Sequence, residues 1–146
     1  MPPKPKPLIF MDSNVLFSGL YSSRGPAGII LEHFVNGKLK VVISQQVLEE
    51  VVRTIKEKLP EALPSFMKLL LNAPPVIVKD ASPKEVASWS KIINEEDAGI
   101  LASATAVKPD YLVTGDKHYF ARKAIAEKSG LRIVTPSQLL KELEIK

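Results

Sequence analysis

Acidic residues stand at four places along the chain from which they could act together. Asp12 directly follows the apolar run Leu8-Ile9-Phe10-Met11 and is itself followed by Ser13 and Asn14. Asp116 closes Thr114-Gly115-Asp116, just after the apolar "YLV" at 111–113. Asp97 ends the segment "NEED", and the pair Glu49-Glu50 lies shortly after Ser44. A carboxylate at the mouth of a buried strand is costly unless it has partners or a task. Several carboxylates gathered together repel one another, and burial raises their pKa values. A bound cation resolves both problems. A set of oxygen ligands selects a hard ion such as Mg²⁺ or Mn²⁺. The chain has two histidines, His33 and His118, and no cysteine, so the residues argue against a zinc site. A hard divalent ion in such a site activates water and steadies the charge of an in-line displacement at phosphorus. The chemistry indicated is phosphodiester hydrolysis.

Each acid also has an ordinary structural explanation. In "NEED", Asn94 caps a helix and Asp97 answers the free backbone N–H groups and the helix dipole. Glu49 and Glu50 flank an amphipathic stripe and fit a solvated face. Asp116 fits a turn. Asp12 is the hardest to explain by structure alone.

The elements that must position these groups follow from the apolar pattern. Strands are expected at 8–11, 39–43, 75–80, 110–114 and 131–135. The third is read as an edge strand because Pro75 begins it. Helices are expected from 14, from Pro26 to Asn36-Gly37, and from Ser44 along the stripe Val47, Leu48, Val51, Val52, Ile55 and Leu59. Further helices are expected at 65–72, 83–91, 95–107, 118–128 and after Pro136, with Gly130 stopping the one before it. Strands alternating with helices indicate an α/β sandwich with a mainly parallel sheet. Apolar strands without alternation fit burial on both faces. In such a sheet ligands bind beyond the carboxyl ends of the strands. Topology alone brings Asp12, Asp116 and the Glu49-Glu50 pair to that edge. Asp97 reaches it only if the connection over 80–94 crosses the top of the sheet.

The totals agree with a single domain. The chain has 146 residues, of which 45% are hydrophobic and 25% charged, enough to bury a core. No apolar run approaches the roughly 18 residues of a membrane span. The opening "MPPKPKP" has no hydrophobic signal region behind it. Residues 1–6 are read as a disordered basic tail, 7–146 as the domain, and the protein as cytoplasmic. The absence of cysteine excludes disulfides and fits a reducing compartment. Net charge is +4. Setting four of the 16 acids aside as ligands leaves 12 against 20 basic residues. The remaining surface is then basic, as suits a partner with a phosphate backbone. Lys117, His118, Arg122 and Lys123 after the last acid, and Arg24 after the first helix, are candidate phosphate contacts. Trp89 and Phe66 are read as core or interface rather than base-stacking platforms. The apolar segment 62–72 is read as core or as a surface for a second copy or a protein partner.

The segments "FMDSNVLFSG", "VVISQQVLEEVV", "EEDAGILASATAVKPDYLVTGDKHYF" and "IVTPSQLL" resemble, in order, the signature segments of PIN domains. They are most similar to the stand-alone VapC-like toxins of prokaryotes, over about residues 7–140. The resemblance implies a three-layer α/β/α fold with a five-stranded parallel sheet in the order 3-2-1-4-5. It implies a ribonuclease dependent on Mg²⁺ or Mn²⁺ that leaves 5′-phosphate and 3′-hydroxyl ends, and a cognate antitoxin as partner. Asp12 matches the family's first ligand, with Ser13 in place of the usual Thr and Asn14 as the bracing amide. Counting six residues on from Ser44 gives Glu50, with Glu49 one residue away as the fallback. Asp97 and Asp116 match the remaining acids, and Thr114 the supporting hydroxyl. The alternative is a PIN-like module that binds RNA or a protein without cutting. Phosphatases of the haloacid dehalogenase type need an acid where Asn14 stands, and receiver domains need two acids after the first strand. Neither fits.

Overall fold

The computed structural model describes residues 5–145. Most of the tail expected over 1–6 lies outside the described residues; Pro5 and Lys6 are exposed and irregular.

The chain alternates strands and helices: β1 (Leu8–Met11), α1 (Ser13–Tyr21), α2 (Pro26–Val35), β2 (Lys40–Ser44), α3 (Gln45–Lys58), α4 (Leu63–Asn72), β3 (Val76–Val78), α5 (Pro83–Ala87), α6 (Glu95–Val107), β4 (Tyr111–Val113), α7 (Lys123–Ser129), β5 (Ile133–Val134) and α8 (Pro136–Glu142). All neighbouring strands pair in parallel, in the order β3-β2-β1-β4-β5. Phe10 of β1 sits between Val42 of β2 and Leu112 of β4. The first two crossovers run one way from β1 and the later ones run back past it. Right-handed connections therefore place α1–α4 on one face and α5–α7 on the other. α1 packs on α2 and α3, α8 packs on α2, and α5 packs on α6. The three central strands are β2, β1 and β4. Their apolar side chains, Ile9, Phe10, Met11, Ile43, Leu112 and Val113 among them, are fully buried. The edge strand β3 leaves Val76 and Ile77 exposed.

Side-chain caps set the helix starts that matter for the site. Ser44 Oγ accepts from the Val47 N–H at the start of α3, and Asn94 Oδ1 accepts from the Asp97 N–H at the start of α6. Each satisfies a backbone donor that would otherwise be free. The 80–94 connection does cross the top of the sheet. Asp80 Oδ1 accepts from the Gln46 N–H at the start of α3 at 2.7 Å, and the Ala81 N–H donates to Ser103 Oγ of α6 at 2.9 Å.

One expected helix is not continuous. Residues 118–128 form a 3₁₀ turn, Lys117–Phe120, and then α7. Asp116 accepts the His118 N–H and so starts the turn three-residue style, with Tyr119 bonding back to Asp116 O. Arg122 is then extended, with φ −132° and ψ 127°, and the helix begins afresh after it. The helix expected over 83–91 is likewise shorter, ending at Ala87 in a run of turns. α7 stops at Gly130, whose φ of +66° suits a residue without Cβ. Phe66 and Trp89 are core residues, as read from the sequence, whereas Met67 and Leu71 of α4 are exposed. Among the described residues no helix is long and apolar enough to cross a membrane.

Candidate metal centre

Asp12 occupies the first position past β1, only 3% exposed. Its Oδ1 accepts from the Ser13 N–H at 2.8 Å and so caps α1. Its Oδ2 accepts from Thr114 Oγ1 at 2.7 Å and from Asn14 Nδ2 at 3.0 Å. Asn14 Oδ1 in turn accepts from the Gly115 N–H at 2.9 Å. Thr114 Oγ1 accepts from the Asp116 N–H at 3.0 Å. This small network ties the ends of β1 and β4 together. It gives each of Ser13, Asn14 and Thr114 a position beside Asp12.

Asp97 and Asp116 lie on the same side. Asp97 Oδ2 accepts from Asn94 Nδ2 at 2.6 Å. His118 Nδ1 is 2.9 Å from Asp116 Oδ1 and 3.8 Å from Asp97 Oδ2. Both carboxylates are mostly shielded from solvent, whereas the imidazole is 68% exposed.

α3 turns Glu50 inward. Its stripe of fully buried residues is Val47, Val51 and Ile55, and Glu50 follows Val47 by three positions on a neighbouring row. Glu50 Oε2 is buried and has no hydrogen-bond partner. Glu49 is exposed and takes a 3.4 Å hydrogen bond from Gln45 instead. Geometry thus separates the two glutamates that counting left one residue apart.

The electrostatics are those of crowded carboxylates. Burial pushes the Asp12 carboxyl up to about 6, against the pull of the Thr114 and Ser13 hydrogen bonds, and Asp97 and Asp116 push it further. Burial raises Glu50 to about 8, helped by the adjacent Glu96 carboxyl and then by Asp12. Asp97 is also raised, first by burial and then by Asp116, with Asn94 and His118 opposing. In each case removing water costs the charged form more than local donors return.

Of the expected phosphate contacts, His118 joins the acids rather than standing apart on a basic face. Arg24, Lys117, Arg122 and Lys123 are all exposed. Among the described residues none of these four has a carboxylate within 4.0 Å. Three residues of the site were not singled out from sequence. Glu96 stands beside Glu50, Gln46 Nε2 donates to Glu96 O at 2.9 Å, and Tyr119 is 1% exposed with its hydroxyl unpartnered. Tyr119 is three residues past Asp116, which is one turn of a 3₁₀ helix. That spacing was the only local signal.

A hard divalent cation suits this donor set. The oxygens come from side chains on four separate elements, and Glu50 Oε2 is buried without any partner of its own. The PIN domain family model matches residues 9–118. The chain belongs to the PIN domain family. No curated protein matches it. Among solved structures, this PIN domain is similar to VapBC2 of Rickettsia felis bound to a DNA fragment from the promoter, with TM-score 0.62, 17% identity, and 88% of this chain and 98% of that one covered. It is similar to a protein of Pyrobaculum aerophilum, with TM-score 0.67, 16% identity, and coverage of 94% and 90%. It is also similar to a toxin–antitoxin complex of Klebsiella pneumoniae, with TM-score 0.61, 24% identity, and coverage of 88% and 97%. At these identities the likeness is one of fold. The order 3-2-1-4-5 and the α/β/α layering are as the resemblance implied.

Proposed function

We propose that this PIN domain is an endoribonuclease dependent on Mg²⁺ or Mn²⁺, and that it is the toxin of a toxin–antitoxin pair acting in the cytoplasm. One observation carries the catalytic part. Carboxylates from the end of β1, from α3, from α6 and from the turn after β4 converge on one edge of the sheet, with Glu50 Oε2 buried and unpartnered. The toxin part is supported by the likeness to VapBC2 of Rickettsia felis and to the toxin–antitoxin complex of Klebsiella pneumoniae.

In this reading Asp12, Glu50, Asp97 and Asp116 hold the ion. When bound, it would lower the pKa of a water and offset charge on the phosphate. The chain's own residues supply position. Thr114, Asn14 and the Ser13 N–H hold the Asp12 carboxylate in one rotamer. A ligand fixed at the end of a central strand has little freedom to lose on binding. Without a cation, burial and the nearby Glu96 and Asp12 carboxyls favour the protonated form of Glu50. Lys117, Arg122 and Lys123 follow the fourth acid and offer charge to the RNA backbone beside the scissile phosphate, with Arg24 as a further contact.

The test joins cleavage, metal and growth. Asp116→Asn keeps an oxygen to accept the His118 N–H and removes a charge. Wild type should cleave RNA pools with Mg²⁺ or Mn²⁺ and leave 5′-phosphates, and Asp116→Asn should lose cleavage by at least about 100-fold. Thermal unfolding should show saturable stabilisation by the ion, about 2.7 kcal/mol at 100 times Kd, lost in Asp97→Asn. Expression of the wild type, but not of Asp116→Asn, should arrest growth. Cleavage that survives both Asp12→Asn and Asp116→Asn overturns the site assignment. RNA binding with neither cleavage nor a metal response would mark a non-catalytic binding module.

A further inference from the structure

The cluster contains one imidazole among its carboxylates. The chain's other histidine, His33, has its Nδ1 engaged with Ile29 O at 3.0 Å in α2. One ligand atom each from Asp97, Asp116 and His118 lie within 4.8 Å of one another. His118 Nδ1 is 2.9 Å from Asp116 Oδ1 and 3.8 Å from Asp97 Oδ2. Adjacent ligand atoms on an octahedral ion at about 2.1 Å lie about 3 Å apart. The Asp116–His118 spacing therefore suits two neighbouring ligands of one ion. Asp97 Oδ2, at 3.8 Å from the imidazole, stands wider than that spacing.

The backbone holds His118 in this place. Its N–H donates to Asp116 Oδ1 at 2.9 Å, within the 3₁₀ turn that interrupts the expected helix. The residue next to His118 in the same turn also carries a buried polar group. Tyr119, the next residue, is 1% exposed, and its hydroxyl has no hydrogen-bond partner. Burial raises the pKa of this hydroxyl, and the negative charges of Asp12, Asp97, Asp116 and Glu50 raise it further. Buried hydroxyls are rarely left without a partner.

We propose that His118 is a nitrogen ligand of the bound cation and that it makes the site prefer Mn²⁺ to Mg²⁺. The inference rests on the reading of the acids as a metal site. Both ions favour oxygen ligands, but Mg²⁺ is the more exacting, since it demands near-ideal geometry and keeps its waters, so one imidazole nitrogen penalises Mg²⁺ more than the transition ion Mn²⁺. The same contacts would arise if His118 were only a cation neutralising the two acids. That role would not discriminate between ions of equal charge.

The experiment compares wild type, His118→Ala and His118→Asp for Mn²⁺ and Mg²⁺ affinity by calorimetry, and records pulsed EPR on the Mn²⁺-loaded proteins. His118 is largely exposed, so the variants keep the fold. Wild type should bind Mn²⁺ more tightly and show ¹⁴N coupling. His118→Ala should lose that coupling and weaken Mn²⁺ binding by roughly 10-fold or more, with Mg²⁺ changed by less than about threefold. His118→Asp should move the preference toward Mg²⁺. An unchanged Mn²⁺/Mg²⁺ ratio in His118→Ala, or no ¹⁴N coupling in wild type that binds both ions, overturns the inference and leaves the metal site standing. Failure of wild type to bind either ion overturns both.

Discussion

Asp12 and Glu50 carry pKa values of about 6 and 8 where ordinary values are 3.8 and 4.5. The folded, metal-free protein thus holds protons that the unfolded chain releases. Their stabilising effect is complete below the unfolded values and is lost as pH rises through the folded ones. Stability of the metal-free protein should therefore fall between about pH 4 and pH 8. The Asp12 shift alone corresponds to roughly 3 kcal/mol. Glu50 is half-buried, and water screens part of its share. Thermal unfolding in chelator at a series of pH values checks the slope. Divalent ion should reverse it, because binding requires the deprotonated carboxylates and strengthens over the same window. A metal-free stability that rises from pH 5 to 8 would mean that the acids are not crowded in the folded state.

At the scale of elements, the site depends on how closely the start of α6 approaches the start of α3. Gly99 makes the approach possible, since a Cβ there would lie 2.4 Å from Gln46 Oε1. Gln46 spans the gap through its bond to Glu96 O. Gly99→Ala should push the Gln46 side chain away and break that bond. Alanine is better than glycine inside a helix by roughly 1 kcal/mol, and the lost bond costs about the same. Metal-free melting should hence change little. Cation affinity should drop severalfold as Asp97 moves relative to Glu50, and calorimetry against melting separates the two. This junction also marks the boundary of what the sequence disclosed. The ends of β1 and β4, the caps Ser44 and Asn94 and the buried stripe of α3 are local features, and they were legible. The stripe also carried an unread signal, because Glu50 sits one turn from Val47 on the row facing inward. Nothing local announces that Glu96 of α6 meets Glu50 of α3. That contact is made by the long crossing over 80–94, which is tertiary. The break at Arg122 was hidden for a related reason. Helix propensity across 118–128 is good, yet Asp116 starts a 3₁₀ turn there and Arg122 turns extended, which no local residue pattern announces.

For the whole molecule, charge is divided by place. The acids withdraw to one edge of the sheet, and the exposed basic residues Lys117, Arg122 and Lys123 border them along the chain. The net charge of +4 therefore understates the field that the proposed RNA meets once a divalent ion offsets the cluster. Binding to single-stranded RNA releases counterions, and log K falls with log salt at about −0.7 per phosphate neutralised. The Asp116→Asn protein, which should not cut, allows binding to be measured on intact RNA. Replacing Arg122 and Lys123 together by Ala should weaken binding and make the slope shallower by about 1.4, the share of two contacts. The loss should be similar for RNAs of different sequence, because phosphate contacts carry no base information. Fluorescence anisotropy across a salt series reads both quantities. A slope unchanged by the double substitution would place the RNA path elsewhere, with Arg24 across the α1–α2 turn the next candidate. A loss confined to some sequences would instead assign these side chains to base recognition.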